Sequence, residues 1–291
     1  MGDWIPVTVA SLLKYHALGN DFLVSLNPDS LPGGEELDGD FVVAVCDRHR
    51  GVGADGVIAA RLCSRDELTG GPDVVMELRN ADGGRAETSG NGVRCLALAL
   101  VDLGVVAGAD VVVATDAGLR LVTVLERSGP ATALVKTEMG TLKVGPEERA
   151  PLLGPEWQAR HVDVGNPHLV LIGPSLDGVD IAELGRALEG TQPGGQNVEV
   201  IAPDGTGGLD LLVWERGAGV TEACGTGSCA AAAAARAGGI VTGRVEVHNP
   251  GGTLVVEQDG ADVTAPTVWL TGPATRVGRV ELELDEIDVI A

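Results

Sequence analysis

The chain has 291 residues and 44% hydrophobic content, enough for two domains, and with only 2% aromatics its cores must be aliphatic. Acids outnumber bases 42 to 20, and the net charge of -22 argues against nucleic acid or an anionic membrane as a partner. No two of the five cysteines (Cys46, Cys63, Cys95, Cys224, Cys229) stand at CxxC spacing and no His pair lies near them, which argues against a metal site or a disulfide framework.

The opening run MGDWIPVTVASLLKYHALGND lacks a basic segment followed by a long apolar one, so no signal peptide is expected. Gly51–Val52–Gly53–Ala54–Asp55–Gly56 matches GxGxxG, but it leads into the strand-like Val57–Ile58–Ala59–Ala60. A dinucleotide fingerprint needs a strand before and a helix after, so this is read as a turn. Ser89–Gly90–Asn91–Gly92 opens an apolar helix, VRCLALALVDLG. Strands are expected at Val111–Ala114 and Leu119–Val124, then a linker at Ser128–Gly129–Pro130. A further strand, Leu209–Trp214, precedes Cys224–Gly225–Thr226–Gly227, which opens a second helix, SCAAAAAARAGG. Its run Ala230–Ala235 is too short to span a bilayer. Strands at Thr253–Glu257 and Val280–Leu284 complete the pattern, and 43 glycines fit many tight turns between short strands. A soluble, cytoplasmic, reduced protein is expected.

The two glycine turns share the form X-G-[NT]-G and lie 135 positions apart. Each has a polar residue nine positions upstream, Asn80 before Ser89 and Glu215 before Cys224. Two equivalent turns, each opening an apolar helix, point to an internal duplication. The expected class is α+β, with two pseudosymmetric domains, each a barrel-like, mostly antiparallel sheet around a central helix. The domains are expected at residues 1–137 and 138–272, with the C-terminal strand 273–291 joining the first.

Glycines let a ligand approach the backbone, and the first turn of a helix offers unpaired N–H groups at its positive end. Such a turn can hold a carboxylate without lysine or arginine. It is also expected to stabilise a thiolate, lowering the pKa of Cys224. A thiolate beside a carboxylate cradle is suited to removing a proton α to that carboxylate. A buried thiol at an ordinary helix start is the plainer reading of either turn alone.

Lys14–Tyr15–His16–Ala17–Leu18–Gly19–Asn20–Asp21–Phe22 resembles the opening strand of diaminopimelate epimerases. The GVGADG turn, Asn80–Gly83, SGNGVRC, Gly165–Asn166–Pro167–His168 and Gln196–Asn197–Val198 resemble that family too. Most specific is Glu215–Arg216–Gly217–Ala218–Gly219 running to Cys224–Gly225–Thr226–Gly227. The resemblance implies interconversion of LL- and meso-diaminopimelate, a step toward lysine and peptidoglycan, without pyridoxal phosphate, other cofactor or metal. One acid/base group serves each face of the α-carbon. It implies that Cys224 is one of them, and that Gly90, Asn91, Gly225 and Thr226 hold the reacting carboxylate. Asn20, Asn80, Asn166, Asn197, Glu215 and Arg216 match residues that bind the amino and carboxyl groups. Read singly, each asparagine fits a turn, and Glu215 with Arg216 fits an exposed pair at a strand end. His16 and His168 read as hydrogen-bonded scaffold. A homodimer is compatible with the resemblance.

The second acid/base position, a cysteine in the family, is Ser89 here. A serine hydroxyl does not ionise near neutrality without an activating base. Cys95, six residues on, lies more than a helical turn away and does not replace the thiol. The alternatives are a Ser/Cys epimerase or racemase of another amino acid, a dehydratase, an engineered trapping substitution, and an inactive amino-acid-binding relative. A glutamate-based isomerase like those of phenazine biosynthesis fits less well, because the Cys224 turn is retained.

Overall fold

The computed structural model describes residues 9–63, 71–87, 89–150, 152–259 and 264–284. Residues 1–8, which begin the run read for a signal peptide, and residues 285–291, assigned to the C-terminal strand, lie outside the described residues. The chain divides into two units: unit 1 from residues 1–17, 21–133 and 274–291, unit 2 from residues 18–20 and 134–273.

The elements run in chain order as β1 (Val9–Ala17), β2 (Asn20–Ser25), α1 (Gly39–Cys46), β3 (Gly56–Leu62), β4 (Val74–Asn80), α2 (Gly90–Asp102), β5 (Asp110–Thr115), β6 (Gly118–Arg127) and β7 (Thr132–Thr141). There follow two short strands, β8 (Lys143–Val144) and β9 (Glu148–Arg149). Then come β10 (Gln158–Asp163), β11 (Pro167–Ile172), α3 (Ile181–Leu188), β12 (Asn197–Pro203), β13 (Leu209–Glu215), β14 (Gly219–Val220), α4 (Gly225–Ala237), β15 (Val245–Asn249), β16 (Gly252–Asp259) and β17 (Thr267–Glu283). Apart from β8, β9 and β14, each unit repeats one order: two strands, a helix, two strands, a helix, three strands. The chain leaves unit 1 within β7 and returns within β17.

The pairings repeat as well. β2–β3 and β11–β12 are parallel, as are β4–β5 and β13–β15. β3–β4, β5–β6, β12–β13 and β15–β16 are antiparallel, as is β1–β17. In unit 2 the antiparallel pairing of β8 with β10 brings the sheet round toward its first strand. Strand burial follows the two-residue period of a half-buried sheet; in β7 the residues from Thr132 to Gly140 alternate between partly and fully buried.

The helices inside these sheets have no solvent face. Residues Gly90–Leu100 of α2 and Gly225–Ala235 of α4 are all buried, as expected of helices that are apolar all round. Each ends in a left-handed glycine one residue past its cap, Gly104 (φ 65°) and Gly239 (φ 71°). The small side chains of α4 let the sheet close in tightly, and Ala230–Ala235 share one cluster with Val162, Val170, Leu211, Val247 and Leu254.

Gly51–Asp55 forms a turn after α1 that leads into β3, the reverse of a dinucleotide-binding context. Ser128–Gly129–Pro130 is the hairpin turn between β6 and β7, closed by the Ser128 N–H donating to the Thr132 carbonyl at 3.1 Å. It lies inside unit 1, so the crossing to unit 2 occurs in strand β7. Helices α1 and α3 were not anticipated from the sequence. Asp38 and Asp180 cap them, accepting backbone N–H groups of Asp40 and Phe41 and of Glu183. Among the described residues no helix is long and apolar enough to cross a membrane.

Candidate active site

Cys224 is the N-cap of α4. Its extended backbone (φ −119°, ψ 120°) turns Sγ back over the helix, where it accepts the Gly227 N–H at 3.2 Å. The Thr226 hydroxyl lies 3.4 Å from the same sulfur. The Cys224 N–H donates to Asn249 Oδ1 at 3.4 Å, and the Ser228 hydroxyl donates to the Cys224 carbonyl at 2.8 Å. The cap residue is thus held from both sides while its sulfur keeps a fixed position at the helix end.

Glu215 ends β13, and its carboxylate faces the Cys224 thiol. The Thr221 hydroxyl donates to Glu215 Oε1 at 2.6 Å. Glu215 and Arg216 serve different partners: the Arg216 guanidinium donates to the Gly194 carbonyl at 3.2 Å and its N–H donates to Asn197 Oδ1 at 2.8 Å. That bond orients the Asn197 amide, whose Nδ2 faces the Pro167 carbonyl at 3.3 Å and His168 Nε2 at 3.4 Å. Asn166 Oδ1 stands 3.0 Å from the same ring nitrogen. The other ring nitrogen, Nδ1, donates to Glu199 Oε1 at 2.7 Å, with both side chains fully buried. Within unit 2 the fold therefore joins Cys224, Gly225, Thr226, Glu215, Asn166, Asn197 and the Arg216 backbone in one connected set. His168 is a hydrogen-bonded member of that set.

Glu199, Thr221 and Asn249 were missed from sequence. Glu199 sits in the apolar run Asn197–Pro203, where a lone carboxylate on a buried strand was the available signal.

The electrostatics correct one expectation. The Cys224 thiol is pushed well above its ordinary value: burial is the largest cause, followed by the Glu215 and Glu199 carboxylates. The hydrogen bonds from Thr226 and Gly227 pull it down but do not prevail. The expected lowering by the helix end fails because burial of the thiol, with two carboxylates facing the same sulfur, outweighs it. Glu215 is itself raised by burial, against hydrogen bonds from Thr221 and Cys224.

In unit 1, Ser89 caps α2 in the same way, with the Gly92 N–H donating to its Oγ at 3.0 Å. Buried Arg94 braces this turn, donating to the Gly90 carbonyl at 3.0 Å and to Asn91 Oδ1 at 2.6 Å. Asn80 ends β4 opposite Gly56 and is exposed, while Asn20 begins β2. The sheet registers align the halves. Phe22 pairs with Gly56 and Gly56 with Asn80, as His168 pairs with Asn197 and Val198 with Trp214 beside Glu215. By topology Ser89 matches Cys224, Asn80 matches Glu215, Asn20 matches Asn166, and Phe22 and Ile58 match His168 and Glu199. Cys95, deep in α2, is raised by burial to about 12 and remains an inert thiol. Among the described residues no group of three or more His, Cys, Asp or Glu is placed to hold a metal ion.

A profile of the family described as diaminopimelate epimerase matches residues 12–144 and 160–277. This chain belongs to the diaminopimelate epimerase family. The diaminopimelate epimerase of Synechococcus elongatus is 38% identical over 93% of this chain and 97% of its own length. That of Corynebacterium glutamicum is 36% identical over 87% and 94%. Among solved structures, a probable proline racemase from Agrobacterium radiobacter superposes with a TM-score of 0.71 at 19% identity, covering 96% of this chain and 94% of that one. A phenazine biosynthesis protein of the PhzF family from Bacillus anthracis gives 0.69 at 15% identity, covering 94% and 99%. These two likenesses establish the shared fold.

Proposed function

We propose that this family member interconverts LL- and meso-diaminopimelate by proton transfer at the α-carbon, with Cys224 and Ser89 as the two acid/base groups. The observation that carries the reading is the Cys224 sulfur at the α4 N-terminus, accepting the Gly227 N–H with the Glu215 carboxylate facing it. The N–H groups of Gly225 and Thr226, and those of Gly90 and Asn91, offer donors for the reacting carboxylate, where negative charge develops in the transition state. The amides of Asn166 and Asn197 and the backbone around Arg216 orient the amino and carboxyl groups; Asn20 and Asn80 do so from their own strands.

In one direction Cys224 gives its S–H proton to the α-carbon and becomes a thiolate. In the reverse direction the thiolate takes the α-proton and becomes a thiol. The Glu215 carboxylate faces the same sulfur. Ser89 acts on the other face. As a hydroxyl it gives a proton more readily than it takes one, so removal of the α-proton by Ser89 is the slow half of the cycle. The reaction is proposed to need neither pyridoxal phosphate nor metal and to run in the cytoplasm, with a homodimer as the assembled form.

The test is incubation with each diaminopimelate isomer in deuterated water. The α-proton signal is followed by NMR and the isomer ratio by chiral chromatography. Loss of the α-proton with conversion between the two isomers is expected. Exchange with another amino acid and none with diaminopimelate would move the assignment to a Ser/Cys racemase of that substrate, the alternative that Ser89 leaves open. Binding of diaminopimelate with no exchange would leave an inactive relative.

A further inference from the structure

The two helix starts share the same cap and the same glycine, yet their floors differ in kind. A β-carbon built on Gly92 of α2 would meet Met76 Cε at 3.2 Å and Ile58 Cδ1 at 3.3 Å. A β-carbon built on Gly227 of α4 would instead meet Glu199 Oε1 at 2.8 Å, and Cys224 Sγ at 3.3 Å. Ile58 and Glu199 occupy matching places, two residues into the strand that runs parallel to its neighbour and opposite Leu78 and Val213. One half thus sets a methyl group under the first turn of the helix, where the other sets a carboxylate.

That carboxylate is wholly buried. Oε1 accepts from His168, and Oε2 has no hydrogen-bond partner among the described residues. A buried oxygen left in this state costs free energy, so the fold tolerates a penalty to keep an acid here. We propose that Glu199 is a positioning residue for Cys224: its carboxylate beneath the first turn of α4 offsets the positive helix end and raises the proton affinity of the Cys224 sulfur.

The groups facing the sulfur from each packed element are few. Glu215 comes from β13, Glu199 from β12 with His168 of β11 behind it, Asn249 from β15, and Thr226 and Gly227 from α4 itself. Strands β8, β10 and β16 meet the helix with Val144, Val162, Leu254 and Val256 of the shared apolar cluster. The raised Cys224 thiol agrees in direction, with Glu199 among its causes. Beneath Gly92 of α2 the corresponding floor is apolar, with Ile58 at the place that Glu199 takes beside Cys224.

The inference rests on Cys224 being an acid/base group, and its test is separate from turnover. The protein is labelled with cysteine carrying 13C at Cβ, and the Cys224 signal, assigned with Cys224→Ala, is titrated in wild type, Glu199→Gln and Glu199→Asp. Glu199→Gln keeps the shape and removes the charge, while Glu199→Asp withdraws the carboxylate by one methylene. The expected result is a Cys224 midpoint lower by about one pH unit in Glu199→Gln, and lower by less in Glu199→Asp, with the other four cysteines unmoved. An unchanged or raised midpoint in either folded variant overturns the proposal. A shifted midpoint in a protein that exchanges no diaminopimelate proton would sink the substrate reading and leave this inference standing. Exchange with an unshifted midpoint would do the opposite.

Discussion

The Thr221 hydroxyl donates to Glu215 Oε1 at 2.6 Å, fixing a carboxylate that would otherwise rotate freely at the end of β13. That bond also lowers the Glu215 carboxyl against the upward push of its burial. Thr221→Val keeps the volume and removes the donor. A hydrogen bond to a charged group contributes about 1.5–3 kcal/mol, so α-proton exchange is expected to fall by roughly tenfold or more while the far-ultraviolet spectrum stays the same. Exchange at the wild-type rate would show that the orientation of Glu215 is immaterial.

Ser89→Cys tests the two-base assignment. The two side chains are nearly isosteric, and the Gly92 N–H bonded to Ser89 Oγ has a counterpart in the bond from Gly227 to the Cys224 sulfur. A thiol there should raise diaminopimelate epimerisation by at least about tenfold, or ~1.4 kcal/mol of barrier. Initial rates from both isomers measure it. Wild type should exchange the isomer whose proton faces Cys224 faster. No gain from Ser89→Cys, with equal exchange of both isomers, would make serine the proper catalyst and reopen the substrate question.

Gly227→Ala would push a methyl into Glu199 Oε1 at 2.8 Å, an atom held by His168 and unable to retreat easily. Exchange is expected to fall about a hundredfold, because misplacing the reacting groups by an ångström is enough for that loss. Gly34→Ala is not a matched control, since its φ of 73° is strained for alanine. Gly190→Ala is one, with open space at the added carbon and an ordinary backbone. Near-wild-type exchange in Gly227→Ala would count against the tight floor.

Acid stability should report on Asp21. Burial raises its carboxyl, but hydrogen bonds and charges from Arg48 and Lys14 overcome that and leave it lowered. Lys14 lies 2.8 Å and Arg48 2.6 Å from its oxygens. A lowered folded-state value means the stabilisation is complete above the unfolded carboxylate pKa, about 3.9, and disappears as pH falls below it toward the folded value. Melting temperature should therefore drop below about pH 4. Asp21→Asn should cost about 2 kcal/mol at neutral pH and make that drop shallower. A drop of equal steepness in Asp21→Asn would exclude this group as its source.

Activity should survive EDTA and hydroxylamine. Loss of exchange restored by metal or pyridoxal phosphate would overturn the cofactor-free chemistry.

The glycine turns made the duplicated plan legible, because capping a helix with Ser or Cys before glycines is a local matter of backbone geometry. Residues 224 to 227 accordingly open a helix as read, with the sulfur accepting the Gly227 N–H. Helix α3 escaped notice because eight residues carry too short a period, although Asp180 followed three positions later by Glu183 has the form of a capping signal. The direction of the Cys224 shift was out of reach for another reason. The helix end is a local feature, whereas Glu199 and Glu215 reach the sulfur from strands that only the folded sheet brings beside it. Local electrostatics read from sequence gave the wrong sign.

Inside its sheet, α4 turns a ring of alanine methyls toward every neighbouring strand, and Ala230–Ala235 show no surface at all. A rod with nearly the same profile from every side takes less of its angular setting from side-chain shape, so the contacts at its ends carry more of it. At the far end Arg236 grips the Gln258 carbonyl at 2.8 Å; at the near end Ser228 and Asn249 hold the backbone of Cys224. The bearing of the sulfur is therefore set by the same few polar contacts that lock the rod against rotation, and a single loosened end would turn the reactive atom away from its partners while every methyl stayed buried.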